Sequence, residues 1–189
     1  MKKFYALVFI TGIIFILVSC SSTVPLSNII PFDVQQNIKT IGGATVDFKF
    51  IPNPAADNIQ AKVDVTTITY SLNSPLEGKF RELVETKFGK ISSDATDKIT
   101  FQVVNVDHQT QKNSAFVVGT NHILRLSINV ILFKDGIEEK QTFSYQTSLE
   151  AVKISANVYS FPPKSLDDFM LKFVVAADKF IDATYKVEN

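Results

Sequence analysis

The 189-residue chain has one cysteine, two histidines, no tryptophan and seven glycines, and each scarcity removes a class of chemistry. A lone thiol makes no internal disulfide and no cysteine-based metal site, so stability has to come from packing. His108 and His122 have no neighbouring cysteine and no His-x-x-x-His spacing, which leaves no zinc signature. Both read as surface histidines, one in a hairpin connection and one at a strand start. The glycines compose no P-loop, dinucleotide fingerprint or Gly-x-Ser-x-Gly elbow, and Gly119 reads as a bend. Net charge is also missing: 19 basic residues balance 19 acidic ones, so there is no basic stripe for nucleic acid and no polybasic segment for anionic lipid. The acidic pairs Glu138-Glu139 and Asp167-Asp168 fall at a strand start and in a first helical turn, where solvation and the helix dipole account for them. Residues 90–98 are polar but lack the ligand order and central glycine of a calcium loop. The expectation is a protein that is not an enzyme, with no cofactor, no metal and no nucleic-acid partner. A site assembled from carboxylates distant in sequence stays open, because such sites form only in the fold.

What is present begins with the one long hydrophobic run. Lys2 and Lys3 precede an almost unbroken apolar stretch from Phe4 to Val18, which is the composition of an export signal. The run is shorter than the about 20 residues of a spanning helix, and Ser21, Ser22 and Thr23 follow it directly. The other reading of the same residues is an uncleaved membrane helix with an idle thiol behind it. Leu17-Val18-Ser19-Cys20 resembles the lipobox of bacterial lipoproteins position by position. The resemblance implies removal of residues 1–19 as a signal peptide. It also implies a diacylglycerol on the Cys20 sulfur and a further acyl chain such as palmitate on its amine. Several chains on one residue exceed the marginal hold of a single one, at about 0.8 kcal/mol per buried methylene. Ser21 resembles the residues that permit release to the outer membrane of a Gram-negative cell, facing the periplasm. In a single-membrane bacterium the same signal leaves the protein outside the plasma membrane.

Residues 20–43 read as the lipidated cysteine and a short tether, and residues 44–189 as one domain, with twelve of the chain's sixteen phenylalanines supplying much of its core. Thr45 to Phe50 alternates as a half-buried strand should, closed by Pro52-Asn53-Pro54. A second strand is expected over Lys62 to Leu72, where the change of phase near Thr66-Thr67 signals either a bulge or two halves facing different surfaces. A helix follows, with Ser74 as N-cap, Pro75 first, Glu77 three after the cap and Gly89 past its end. Leu76, Phe80, Leu83, Val84 and Phe88 form its apolar stripe. Next comes a meander: a strand over Ile99 to Val106, a polar connection to Asn113, a short apolar stretch from Ala115 to Val118, and a long strand over His122 to Phe133. The type I′ signal Asp135-Gly136 then turns the chain into a strand over Glu139 to Val152. Counting outward from that turn pairs Ile128 with Phe143, Leu126 with Tyr145, Ser127 with Ser144 and Asn129 with Thr142. An irregular connection over residues 153–164 leads to a final helix from Leu166 to Tyr185, capped by Ser165 and striped by Leu166, Phe169, Met170, Phe173, Val174, Ala177, Phe180, Ile181 and Tyr185.

The expected fold class is α+β: an antiparallel sheet of about five strands with two helices packed on one face, in two layers around one core. Element order on a lipobox-bearing chain resembles the small envelope lipoproteins of the YajG and LptE kind over Thr45 to Asn189. That resemblance implies assembly work with an envelope protein partner, alongside the membrane contact through Cys20. Fold-level likeness does not assign function, and two classes stand. One is a non-catalytic interaction or assembly protein using a sheet edge or an exposed apolar patch. The other is a module binding lipid or an apolar small ligand between helices and sheet. The candidate contact loop is Tyr159, Phe161, Pro162 and Pro163, because loop aromatics can anchor a partner. Its alternative is packing under the last helix.

Overall fold

The computed structural model describes residues 20–42, 44–112, 120–155 and 158–186. The opening apolar segment and the stretch Ala115 to Val118 lie outside them. In chain order the elements are β1 (Cys20–Thr23), α1 (Phe32–Gln35), β2 (Val46–Ile51), a 3₁₀ turn (Pro54–Ala56), β3 (Ile59–Val63), β4 (Thr66–Tyr70), α2 (Asn73–Phe88), β5 (Asp97–Lys112), β6 (Thr120–Lys134), β7 (Ile137–Glu150), β8 (Val152–Ser155), β9 (Val158–Ser160) and α3 (Pro163–Tyr185). The fold is α+β.

The main sheet has the order β2-β5-β6-β7. Its β6–β7 hairpin has the register read from the turn, with Ile128 opposite Phe143, Leu126 opposite Tyr145, Ser127 opposite Ser144 and Asn129 opposite Thr142. Asp135 and Gly136 both have positive φ, 52° and 80°, as a type I′ turn requires. The polar pairs on the outer face join directly: the Ser127 and Ser144 hydroxyls are 2.8 Å apart, and Thr142 donates to Asn129 at 2.7 Å. On the inner face, α2 lays Phe80 flat on Phe101 at 4.1 Å, and α3 sets Phe173 edge-on to Tyr145 at 4.9 Å. Each such pair contributes about 0.5–1.5 kcal/mol beyond the area it buries.

The expected single antiparallel sheet is corrected to sheets of four, three and two strands. Strand β2 runs parallel to β5, and β1 runs parallel to β4, whose other neighbour is the antiparallel β3. The phase change near Thr66 is neither a bulge nor a change of surface within one strand. It is a tight turn at Asp64-Val65, where Asp64 takes φ 53°, so Val63 and Thr66 face each other across a hairpin. The polar run after Val106 continues β5 as far as Lys112. A bulge does occur, at Val104, between Val103 and Asn105. It shifts the phase of β5, so that Val106 and His108 take the inner side after Ile99, Phe101 and Val103.

Residues 20–42, expected as a tether, are packed. β1 pairs with β4 over all four of its residues, Val24 donates to Thr69, and Val24 and Ile30 are buried. The segment then wraps α2: Glu82 accepts from the Ile30 amide and from Gln35, and Ile41 donates to the Lys87 carbonyl at 2.7 Å. Gly78 permits this approach, because a Cβ there would stand 2.6 Å from both Cβ and O of Asn28. A third helix, α1, joins the two that were expected.

Both long helices start earlier than their sequence caps suggest, and neither has a side-chain cap. Asn73 opens α2 because its side chain is fixed outside the helix, accepting from the Asn53 amide and donating to the Asn53 carbonyl and to Asp57. Ser74 is thereby drawn into the first turn. In α3 the fixed φ of Pro163 starts the helix after an extended Pro162, so Ser165 lies inside it. The end of α2 is as read, with Gly89 at φ 75° and its amide donating to the Glu85 carbonyl. Both apolar stripes are buried, apart from the half-buried Phe180 and Tyr185 toward the end of α3.

Candidate functional site

Strand β7 is an edge of the main sheet, and α3 lies against its inner face. Because the helix crosses near the edge, its outward side and the last inward-facing residues of β7 leave an open groove of about 690 Å³. Phe143 and Tyr145 from β7 and Leu171, Val175 and Phe180 from α3 form its apolar lining, and Lys172 and Lys179 stand on the rim. The groove follows from an imperfect match of stripe and sheet. Phe180 is only half covered by its edge-on contact with Phe143 at 6.3 Å, and Val175 is 40% exposed. A second depression of about 570 Å³ shares Asp168 and Leu171 with the first and is bounded by Ile29 and Phe32, which are 60% and 71% exposed. Together they make a continuous apolar track from the edge of the sheet over α3 to α1.

Beneath this track, α2 and α3 are joined by two buried lysines that the sequence analysis does not single out. Lys79 donates to the Ile29 carbonyl at 2.8 Å and pairs with Asp167 at 3.4 Å. Lys87 donates to Asp182 at 2.5 Å and to the Lys39 carbonyl at 3.2 Å, with Asp178 at 2.6 Å. The signal was available in the spacing. Lys79 and Lys87 fall on the same helical stripe as Leu76, Phe80 and Leu83, and Asp167, Asp178 and Asp182 share one side of α3.

The histidines are not on the surface. His122 is fully buried and His108 half-buried, their rings parallel within 1° at 5.2 Å. Phe161 stands edge-on to His122 and to Tyr70, and Tyr70 stands edge-on to His108. Thr110 lies 3.3 Å from His122 Nδ1, but Nε2 of both histidines and the Tyr70 hydroxyl have no hydrogen-bond partner among the described residues. Burial, and then the charge His108 would carry, push the His122 pKa down to about 4. Burial lowers His108 as well, against the opposing pull of Asp107. Burial alone pushes the Tyr70 hydroxyl well above its usual range. Imidazole lone pairs lie in the ring plane, so two parallel rings do not converge on one ion. Among the described residues no three His, Cys, Asp or Glu side chains gather as metal ligands.

The expected contact loop is corrected. Its aromatic centre, Phe161, is buried in the box just described, and the described residues of the segment expected as an irregular connection include β8, β9 and the start of α3. Tyr159 is half-buried in β9, its amide donating to Thr66 Oγ1 and its carbonyl accepting from Ser22 at 2.7 Å. Pro162 and Pro163 form the entry to α3. Cys20 is a free, half-buried thiol at the first position of β1. The structure thus joins the strand of Cys20 to that of Tyr159, while the groove on α3 involves none of the expected residues.

No family model and no curated protein matches the chain. Among solved structures, it is similar to a protein from Xanthomonas campestris of the family DUF330, at 9% identity over 87% of this chain and 99% of that one, with a TM-score of 0.51. A minor lipoprotein from Acinetobacter baumannii matches at 14% identity over 71% of this chain and 90% of its own, with a TM-score of 0.39. Rare lipoprotein B from Shewanella oneidensis matches at 9% over 75% and 94%, with a TM-score of 0.34. The Xanthomonas likeness shows that this α+β arrangement recurs in another chain, and it shows the fold alone.

Proposed function

We propose that the chain is a membrane-anchored lipoprotein of the cell envelope, held by acyl groups on Cys20, and that it works as a non-catalytic interaction or assembly protein. In a Gram-negative cell it sits on the outer membrane facing the periplasm, as Ser21 suggests. The observation that carries the interaction reading is the apolar track along α3 beside β7. A groove open along its length, next to a strand with one free edge, suits an extended or helical segment of another polypeptide. The second reading, a lipid or apolar small-ligand module, draws on the same lining, since about 690 Å³ is within the usual range for such ligands.

One preparation separates the readings. The chain is purified from membranes in mild detergent, and what accompanies it is identified by mass spectrometry, for the native protein and for Val175→Glu. A stoichiometric protein lost in the variant supports the interaction reading, and a stoichiometric lipid lost in the variant supports the second. Replacing Cys20 by Ser tests the anchor: the anchored reading expects the longer, uncleaved chain to accumulate, and a variant of the same size and membrane retention as the native protein refutes it.

A further inference from the structure

The end of the small sheet where β1 begins is an unusual place for an attached group. Cys20 is opposite Thr66, the first residue of β4, so it stands beside the Asp64-Val65 turn. Neighbouring strands are about 4.8 Å apart, which leaves no slack between the turn and whatever Cys20 carries. The sequence before it is the apolar stretch Phe4 to Val18. Whether the cysteine bears acyl chains or that stretch stays attached, a lipid-soluble group is joined to the first residue of a strand.

The β8–β9 hairpin points the same way. Tyr159 donates to Thr66 and accepts from Ser22, which is opposite Ile68. Strand β9 therefore runs alongside β1 and β4 in their direction, with Val158 toward the Cys20 end. Phe161, three residues on, meets Tyr70 at the other end of β4, as that direction demands. Ser155, opposite Val158, consequently lies at the Cys20 end. Two large apolar side chains are uncovered toward that end: Val65 in the turn, 48% exposed, and Ile154 before Ser155, 60% exposed. Lys62 and Lys153 are exposed nearby, against one exposed carboxylate in the turn, Asp64.

We propose that this end is a membrane-seating surface: Val65 and Ile154 enter the bilayer next to Cys20, and the domain is held in one orientation instead of swinging on a tether. The occupant is the leaflet that takes the lipid of Cys20, so the inference rests on the anchor reading above. Apolar side chains of this kind reach about 5–10 Å into the boundary between headgroups and acyl chains.

The chain has no tryptophan, which makes the test direct. Val65→Trp, Ile154→Trp and, as a control, Ile137→Trp at the exposed start of β7 are each made in the full chain. Each is purified from membranes, checked by mass for acylation, and reconstituted into vesicles of phosphatidylethanolamine and phosphatidylglycerol carrying brominated acyl chains. Blue-shifted emission and loss of fluorescence at positions 65 and 154, but not at 137, are expected. An acylated, vesicle-bound chain whose three tryptophans respond alike overturns the seating surface and leaves the anchor standing. A chain without acyl groups that washes from the vesicles overturns both. Positions 65 and 154 are on separate hairpins, so a variant that fails to fold leaves the other to decide.

Discussion

His108 and His122 stack face to face at 5.2 Å, two titratable rings inside an apolar box with three polar atoms that have no partner among the described residues. Burial lowers the pKa of both, and a charge on His108 lowers that of His122 further. Folding is therefore linked to pH. His122 has a folded pKa of about 4 against about 6.5 unfolded, so between these values the unfolded chain binds the proton and the native one does not. The stability His122 contributes is complete above pH 6.5 and is lost as pH falls toward 4, on the order of 3 kcal/mol in all. Urea midpoints measured at several pH values across this window should fall on acidification. His122→Phe, which keeps a ring in the box, should flatten the dependence, and an unchanged slope would contradict the assignment.

Lys87 is fully buried between Asp178 and Asp182. Replacing it by Met leaves two half-buried carboxylates facing each other across the α2–α3 contact, so Lys87→Met should destabilise by about 3–5 kcal/mol. Asp178→Asn should cost less, because Asp182 and the Lys39 carbonyl still hold the ammonium. Equilibrium urea unfolding of the two variants gives the order, and equal losses would mean that the carboxylates do not share the charge.

Gly78→Ala places a methyl where Asn28 already stands. The residues around Asn28 have to move off α2, and with them the contact of Lys79 with the Ile29 carbonyl. Hydrogen exchange should show faster exchange of the Ile30 amide, which is bonded to Glu82, while the β6–β7 hairpin keeps its protection.

Phe161→Ala should cost about 3–5 kcal/mol, as for other buried phenylalanines. Removing a solvent-facing contact residue would be close to neutral. Thermal or urea unfolding distinguishes the two roles directly.

The parts of the fold legible in the sequence were those whose determinants are local. Asp135-Gly136 and the alternation on either side of it specify the β6–β7 register, and Gly89 marks the end of α2. What escaped was set by distant partners. The pairing of Cys20 with Thr66 joins segments whose own composition is that of a polar linker and of a β-rich run. The Asp64-Val65 turn lacks the glycine that announces such turns, so its hairpin resembles one irregular strand. The burial of Lys79 and Lys87 is set by aspartates from the far end of the chain. The groove beside α3 exists because Phe180 and Val175 are left partly uncovered, a matter of fit between helix and sheet that no periodicity records.

Strand β1 supplies the last member of the three-stranded sheet, which gives proteolysis near the N-terminus an unusual cost. A cut between Val24 and Ser27 would remove whatever Cys20 carries and, with it, the strand that covers β4. The remnant would present the unpaired edge of β4, whose Ile68 and Tyr70 are now buried, as a template for pairing with other chains. A chain cut there would lose the cover of β4, and its exposed edge would favour aggregation over a stable, shortened form.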